Sequence, residues 1–116
     1  MSLSEKVCGP CNYFTPRLSE EDIARLSQQT LGWSVLPDGK ICRVWKFKTY
    51  AQALTFVNQV AVIAEQENHH PDIEFGWAYV TLKCTTHAIK GLSENDFILA
   101  AKINQIQLDQ RPVATL

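Results

Sequence analysis

Residues 49–72 read TYAQALTFVNQVAVIAEQENHHPD, and the other predicted elements are arranged around this segment. It opens with a Thr-x-x-Gln pattern, which is typical of a capped helix N-terminus. Apolar residues then recur at steps of three and four, which predicts an amphipathic helix of about five turns that ends near Asn68. Because Pro71 disfavours helical backbone at the residue before it, the chain must leave the helix at His69 and His70.

The segments before this central helix predict another helix and a β-hairpin. A Ser-x-x-Asp pattern caps a helix that begins after Ser19 and runs to about Thr30. Residues 33–36 and 41–48 read as strands, and the second is rich in β-branched and aromatic side chains. Between them stands Pro37-Asp38-Gly39-Lys40, where proline presets φ and glycine can take φ > 0, so we expect a tight turn.

The segments after the central helix repeat this order. Residues 72–75 predict a short third strand, and residues 77–86 predict the longest one, with its apolar side chains alternating. A second Ser-x-x-Asp pattern, at Ser93, caps a last helix. The order α-β-β-α-β-β-α, with strands joined as hairpins, predicts an α+β domain: a four-stranded antiparallel sheet with three helices packed on one face.

The composition is that of one ordinary globular domain of 116 residues. A formal net charge of -1 offers no basic field, so direct nucleic-acid binding is not expected. No apolar run approaches the length of a membrane span, and no cationic region precedes an apolar one at the N-terminus. We therefore expect a cytoplasmic protein with neither a membrane nor a nucleic-acid partner.

Near the N-terminus, Cys8 and Cys11 form a Cys-x-x-Cys pair. Structural zinc sites usually combine two such pairs, and this chain has only one. A thioredoxin-type pair follows a strand and opens a helix, whereas glycine and proline surround this pair. We therefore expect residues 1–17 to be a flexible leader with two exposed thiols, 18–110 to be the domain and 111–116 to be a frayed tail. A metal ion shared between two chains stays open.

The three histidines of the chain, His69, His70 and His87, lie close together in the sequence. The unperturbed pKa of imidazole, about 6.5, allows proton transfer near neutrality. Rings that bracket a small polar molecule could deliver one proton and remove another. Glu65, one helical turn before His69, could reach the site or orient an imidazole. Asp96, at the start of the last helix, could hold His87 in the required tautomer.

Each of these residues also has a structural interpretation. Paired histidines complement the negative end of a helix dipole, Asp96 completes a capping box, and Glu65 is a solvated helix charge. None of these interpretations explains His87. Zinc is another alternative, because three histidines and a carboxylate satisfy a catalytic site. Adjacent histidines usually diverge, however, and His-x-His and His-x-x-x-His spacings are absent, so we expect no metal.

At these residues the sequence resembles the pterin-4a-carbinolamine dehydratases, also called 4a-hydroxytetrahydrobiopterin dehydratases. The family pattern is a charged residue, His-His-Pro, an aromatic residue, a histidine and an aspartate at fixed spacings, which this chain matches with Glu65, His69, His70, Pro71, Trp77, His87 and Asp96. The resemblance covers roughly residues 18–108. Two positions depart from the pattern: Trp77 stands where tyrosine is common, and Asn68 stands where an aspartate often precedes the histidine pair.

The resemblance implies a reaction. Members of the family dehydrate 4a-hydroxytetrahydropterin to quinonoid dihydropterin and so regenerate pterin for aromatic amino acid hydroxylases, with no metal and no organic cofactor. By position, the proton transfers fall to the histidines and orientation falls to the two carboxylates, so the implied catalytic set is His69, His70, His87, Glu65 and Asp96. The implied substrate-binding residues are Asn68, Pro71, Trp77, Thr85 and Thr86.

The resemblance also implies a homodimer or homotetramer and leaves two other functions open. Mammalian relatives bind a homeodomain transcription factor as a dimerisation cofactor, so a protein-binding regulator with little turnover is the alternative. A third hypothesis is the same chemistry on another pterin, for instance in molybdenum-cofactor metabolism.

Overall fold

The helices begin at the capping residues that the sequence predicts. A computed structural model describes residues 2–108 of the chain. The Ser19 hydroxyl accepts the N–H of Asp22 at 3.1 Å, and the Thr49 hydroxyl accepts the N–H of Gln52 at 3.1 Å. The elements are α1 (Glu20–Ser27), β1 (Ser34–Leu36), β2 (Lys40–Lys46), α2 (Tyr50–Glu67), β3 (Asp72–Gly76), β4 (Tyr79–Cys84) and α3 (Glu94–Asn104), with short 3-10 helices at Leu3–Glu5 and His87–Ile89.

The strands form one antiparallel sheet in the order β1-β2-β4-β3. Ile41 pairs with Cys84 and Trp45 pairs with Val80, so apolar side chains from both central strands share one face. Helix α2 packs on β3 and β4, and α1 joins the helical layer through α3. The predicted α+β fold, a four-stranded antiparallel sheet in the order α-β-β-α-β-β-α, is confirmed.

Aromatic rings join α2 to the sheet. The ring of Phe56 lies 4.8 Å from that of Trp45 and 5.4 Å from that of Phe47, measured between centroids. Trp33 packs edge-on against Trp45 at 5.6 Å. Phe56 is only 2% exposed, so it lies at the centre of the interface between helix and sheet. This packing holds α2 against β2, whose partner strand β4 ends, like α2, at the histidine cluster.

Some predicted boundaries shift, each for a local reason. The strand predicted over 77–86 spans only Tyr79–Cys84, so β2 is longer than it; Trp77 and Ala78 form the turn after β3, with Ala78 at a φ of 68°. At its other end the strand stops where Thr86 leaves to pair with Gly91. Helix α2 ends as predicted: Asn68 takes the left-handed conformation, and its N–H bonds to carbonyls of the last turn.

The N-terminal segment differs from the expected flexible leader. Leu3 is 3% exposed, and Lys102 of α3 donates to the Ser4 carbonyl at 2.9 Å. Lys6 forms an ion pair with Glu94 at 2.7 Å. The segment packs on α3 because it carries an apolar side chain and backbone acceptors that α3 can satisfy. The proposed limits of leader, domain and tail stay a prediction, and residues 109–116 lie outside the described part of the chain.

None of the helices within residues 2–108 has the length and apolar character needed to cross a membrane.

We expect Phe56→Ala to lower the free energy of unfolding by about 3–5 kcal/mol, because truncation leaves a cavity between α2 and the sheet. Phe14→Ala is the matched control: Phe14 is 91% exposed, and its loss should change stability by less than about 0.5 kcal/mol. Urea denaturation of both variants measures the difference. Equal midpoints would contradict this account of the core.

Candidate active site

The end of α2 and the segment after β4 form the walls of one cavity of about 290 Å³. This volume lies just below the range for small-molecule sites, roughly 300–1,000 Å³. The lining residues are Cys11, Asn68, His69, His70, Pro71, Asp72, Thr85, Thr86, His87 and Ala88. Two larger grooves lie along the N-terminal segment, but neither contains a histidine. The cavity brings all three histidines together, although their sequence positions span the β3–β4 hairpin.

Asp96 lies fully buried beneath this cavity. Its Oδ1 bonds to His69 Nε2 at 2.6 Å, while its Oδ2 accepts the Thr86 hydroxyl at 2.7 Å and the Ser93 N–H at 2.9 Å. A carboxylate only accepts hydrogen bonds, so Nε2 of His69 must be the donor. Nδ1 of the neutral ring is then unprotonated and can accept a proton. Asp96 thus serves both the predicted capping box and the site.

The predicted partnership between Asp96 and His87 is wrong. Among residues 2–108, the Asp96 carboxylate bonds to His69, Thr86 and Ser93, and no side-chain hydrogen bond to the His87 ring occurs. The physical reason is the 3-10 turn at His87–Ile89, which leaves Thr86 buried and brings the next residue to the surface. His87 is therefore an exposed ring on the cavity wall.

Glu65 pairs with the second histidine of the pair. His70 Nε2 and Glu65 Oε1 are 3.0 Å apart, and the two side chains are 53% and 79% exposed. Water screens such an exposed pair, so it contributes little to stability. The pair can still restrict the orientation of the His70 ring. By contrast, the His69 side chain is 12% exposed, and its partner Asp96 is at 0%.

The remaining predicted site residues separate into two groups. Asn68, Pro71, Thr85 and Thr86 line the cavity, with the Thr85 hydroxyl donating to the Gly39 carbonyl at 2.8 Å. Trp77 does not line it: the indole is 73% exposed at the β3–β4 turn. The assignment of roles to these residues stays a prediction.

Sequence reasoning missed three contributors. Cys11 and Asp72 line the cavity, and Ser93 bonds to the Thr86 hydroxyl at 2.7 Å. The capping pattern identified Ser93 only as a helix start, while no spacing signal marked Cys11. Within residues 2–108, no three His, Cys, Asp or Glu side chains cluster in a way that would hold a metal ion. The metal-free site remains a prediction.

Comparisons of this chain with known proteins agree on one family. The model of the family described as pterin 4 alpha carbinolamine dehydratase matches residues 16–106. A Nitrosospira multiformis protein, provisionally named pterin-4-alpha-carbinolamine dehydratase, is 50% identical over 90% of this chain and 91% of its own length. The Arabidopsis thaliana protein named pterin-4-alpha-carbinolamine dehydratase 2, mitochondrial, is 46% identical over 92% of this chain and 60% of its own.

A solved structure from Brucella melitensis, of a protein called transcriptional coactivator/pterin dehydratase, is similar in fold. It has a TM-score of 0.73 and 31% sequence identity, and the match covers 77% of this chain and 96% of that one.

We expect the neutral His69 ring to be the Nε2–H tautomer, because Asp96 accepts from Nε2. Asp96→Asn should shift it toward the Nδ1–H form: the amide oxygen stays with Thr86 and Ser93, which leaves the amide nitrogen to face the ring. Long-range proton–nitrogen NMR spectra of the imidazoles distinguish the tautomers.

Glu65→Gln is the control for this experiment, because Glu65 contacts His70 and should leave the His69 signals unchanged. An Nδ1–H tautomer of His69 in the unsubstituted protein would contradict the assignment.

Proposed function

Because this chain belongs to the pterin 4 alpha carbinolamine dehydratase family, we propose that it removes water from a 4a-hydroxytetrahydropterin and releases quinonoid dihydropterin. The observation that carries the proposal is the single cavity lined by His69, His70 and His87. A lyase of this kind helps to regenerate the pterin cofactor that an aromatic amino acid hydroxylase has oxidised.

The reaction needs two proton transfers that balance. One proton goes to the 4a-hydroxyl, the carbon–oxygen bond breaks, and water leaves. The adjacent ring nitrogen loses its proton, and its electron pair forms the new carbon–nitrogen double bond. Positioned general acids and bases each contribute about 10²–10⁴-fold, and imidazole can serve as either one near neutral pH.

The environments of the rings support a division of labour within this catalytic set. His69 is fixed by Asp96, whose other oxygen is held by Thr86 and Ser93. His70 and His87 are exposed, so they can exchange protons with water between turnovers. We propose that the three histidines carry the proton transfers, while Asp96 and Glu65 orient His69 and His70.

The substrate-binding part of the proposal rests on the cavity wall. Asn68 and Pro71 come from the end of α2, and Thr85 and Thr86 come from the end of β4. Their backbone groups can hydrogen-bond a flat heterocycle, in keeping with the roles that the family resemblance implies. Trp77 takes part only if an extended substituent of the pterin, or a second chain, reaches the β3–β4 turn.

We also propose that the chain forms a homodimer or homotetramer in the cytoplasm. Helix α2 exposes Tyr50, Leu54 and Val62 at 48%, 41% and 56%, and the outer sheet face exposes Val44 at 49%. Covering such side chains is favourable, since burial of apolar area drives most protein association.

A second candidate function is protein binding that regulates transcription. The Brucella melitensis relative favours it, because that protein is called a transcriptional coactivator as well as a pterin dehydratase. The net charge of -1 supports action through protein surfaces, since phosphate binding needs a basic patch. A regulator of this type would still bind its partner protein when the histidines are replaced.

We expect the purified protein to accelerate loss of the 4a-hydroxytetrahydropterin intermediate, followed by stopped-flow absorbance. His70→Ala or His87→Ala should reduce the rate by about 10²–10⁴-fold, because each removes a proton-transfer group. Lys83→Ala, on the outer face of β4, is the control and should retain the rate.

Unchanged rates in both histidine variants would refute the assigned roles. Negligible turnover by the unsubstituted protein, together with recovery of a transcription factor in a pull-down, would favour the regulatory function. Turnover of another 4a-hydroxylated pterin in preference to the biopterin form would identify a different physiological substrate.

A further inference from the structure

The N-terminal segment supplies one residue to the wall of the cavity. Cys11 lines the cavity together with the histidines, although the family model matches only residues 16–106. Cys11 therefore lies outside the region that the family model matches, and that match assigns it no role. The contacts on either side of Cys11 determine whether its side chain is held at the cavity.

The segment is anchored before Cys11 by the ends of two helices. At the start of α3, the Asn95 side chain accepts the Gly9 N–H at 3.0 Å and donates to the Gly9 carbonyl at 2.6 Å. At the end of α2, the Glu67 carboxylate accepts the Cys8 N–H at 2.9 Å. Two backbone groups of Gly9 are thus held by one amide, which fixes the direction of the chain as it reaches Cys11.

The segment is anchored again after Cys11, by the residues that follow His87. Arg17 Nε donates to the Ile89 carbonyl at 2.7 Å, and the Leu18 N–H donates to the Leu92 carbonyl at 3.0 Å. Ile89 ends the 3-10 turn that begins with His87. A segment pinned at both ends has little freedom to move its middle away from the cavity.

The thiol of Cys11 contacts the same polar network that holds His69. Its Sγ lies 3.8 Å from the Ser93 hydroxyl and accepts the Asn95 amide at 3.0 Å. Ser93 bonds to Thr86, and Thr86 donates to Asp96. The position of the thiol is therefore set by the hydrogen bonds that position the proposed catalytic groups.

We propose that Cys11 is a substrate-contacting residue, that the anchored segment 8–18 holds it in the cavity wall, and that its small side chain sets the width of the pterin cavity. The inference rests on the proposed function for the identity of the ligand. It names a specificity-determining residue outside the matched family region, and it assigns Asn95 as a positioning residue that acts through Gly9 and Cys11.

The two thiols of Cys8-Gly9-Pro10-Cys11 lie in different environments. Burial and the neighbouring Glu67 carboxylate raise the pKa of the Cys8 thiol to about 12. Because the thiolate is the species that attacks in disulfide exchange, Cys8 is a poor nucleophile at neutral pH. Its Sγ donates instead to the Asn95 carbonyl at 3.5 Å. The two cysteines therefore have different roles, with Cys8 in the anchor and Cys11 in the wall.

The first test is kinetic. Cys11→Leu inserts a larger side chain into the cavity and should raise KM about tenfold or more while leaving kcat nearly unchanged, since it obstructs binding without touching a proton-transfer group. Cys11→Ser keeps nearly the same size and should raise KM less. Cys42→Leu is the matched control: Cys42 lies on the outer sheet face, paired with Lys83, and the same substitution there should leave both constants unchanged.

The second test needs no variant. The unsubstituted protein is alkylated with iodoacetamide at pH 8, with and without 7,8-dihydrobiopterin, and each cysteine is read by peptide mass spectrometry. We expect the pterin to slow modification of Cys11 several-fold and to leave Cys42 unaffected. Cys8, with its raised pKa, and Cys84, which is fully buried, should remain unmodified in both samples.

The outcomes separate the two proposals. If the protein is a dehydratase but Cys11 is alkylated equally in both samples, the proposed role of Cys11 is wrong and the proposed function is kept. An unchanged KM in a folded Cys11→Leu protein has the same meaning. Pterin protection of Cys11 without turnover supports the wall and overturns the dehydratase. Equal alkylation of Cys11 without turnover overturns both.

Discussion

The contact between Asp96 and His69 is the interaction on which the site depends. A buried carboxylate is tolerated only when its oxygens are hydrogen-bonded, and Asp96 meets this condition with three donors from three places in the chain. His69 follows α2, Thr86 follows β4, and Ser93 precedes α3. Satisfying one carboxylate therefore requires these three element ends to meet. The same three element ends, held together by Asp96, form the floor of the cavity.

This constraint makes three identical side chains chemically different. His69 is held against a buried acceptor, His70 faces an exposed carboxylate, and His87 stands on a surface turn. Burial and partner decide how firmly each ring is oriented and how readily it exchanges protons with water. An elimination that needs both a donor and an acceptor of protons is well matched to rings in unequal environments.

The element order and the core residues could be predicted from the sequence, because both depend on local signals. The capping residue Thr49 and the apolar steps from Ala53 to Ala64 specify α2 without reference to any other element. Strand ends were harder to predict, since pairing partners decide them. Trp77 and Ala78 continue the alternating pattern of β4, yet β3 pairs with β4 only as far as the Gly76–Tyr79 pair, so they form the turn.

The α+β architecture, the helix stop at Asn68 and the identity of the residues around the histidines could be predicted from the linear chain, since periodicity, capping and fixed spacing are local properties. Only the tertiary structure decided which carboxylate serves which ring: Asp96 reaches His69, and Glu65 reaches His70. The left-handed turn at Asn68 breaks the helical spacing before the histidines, so distance along the sequence no longer gives distance in space. Likewise, no sequence spacing connects Cys11 to the site. In the structure its thiol accepts a hydrogen bond from the Asn95 side chain.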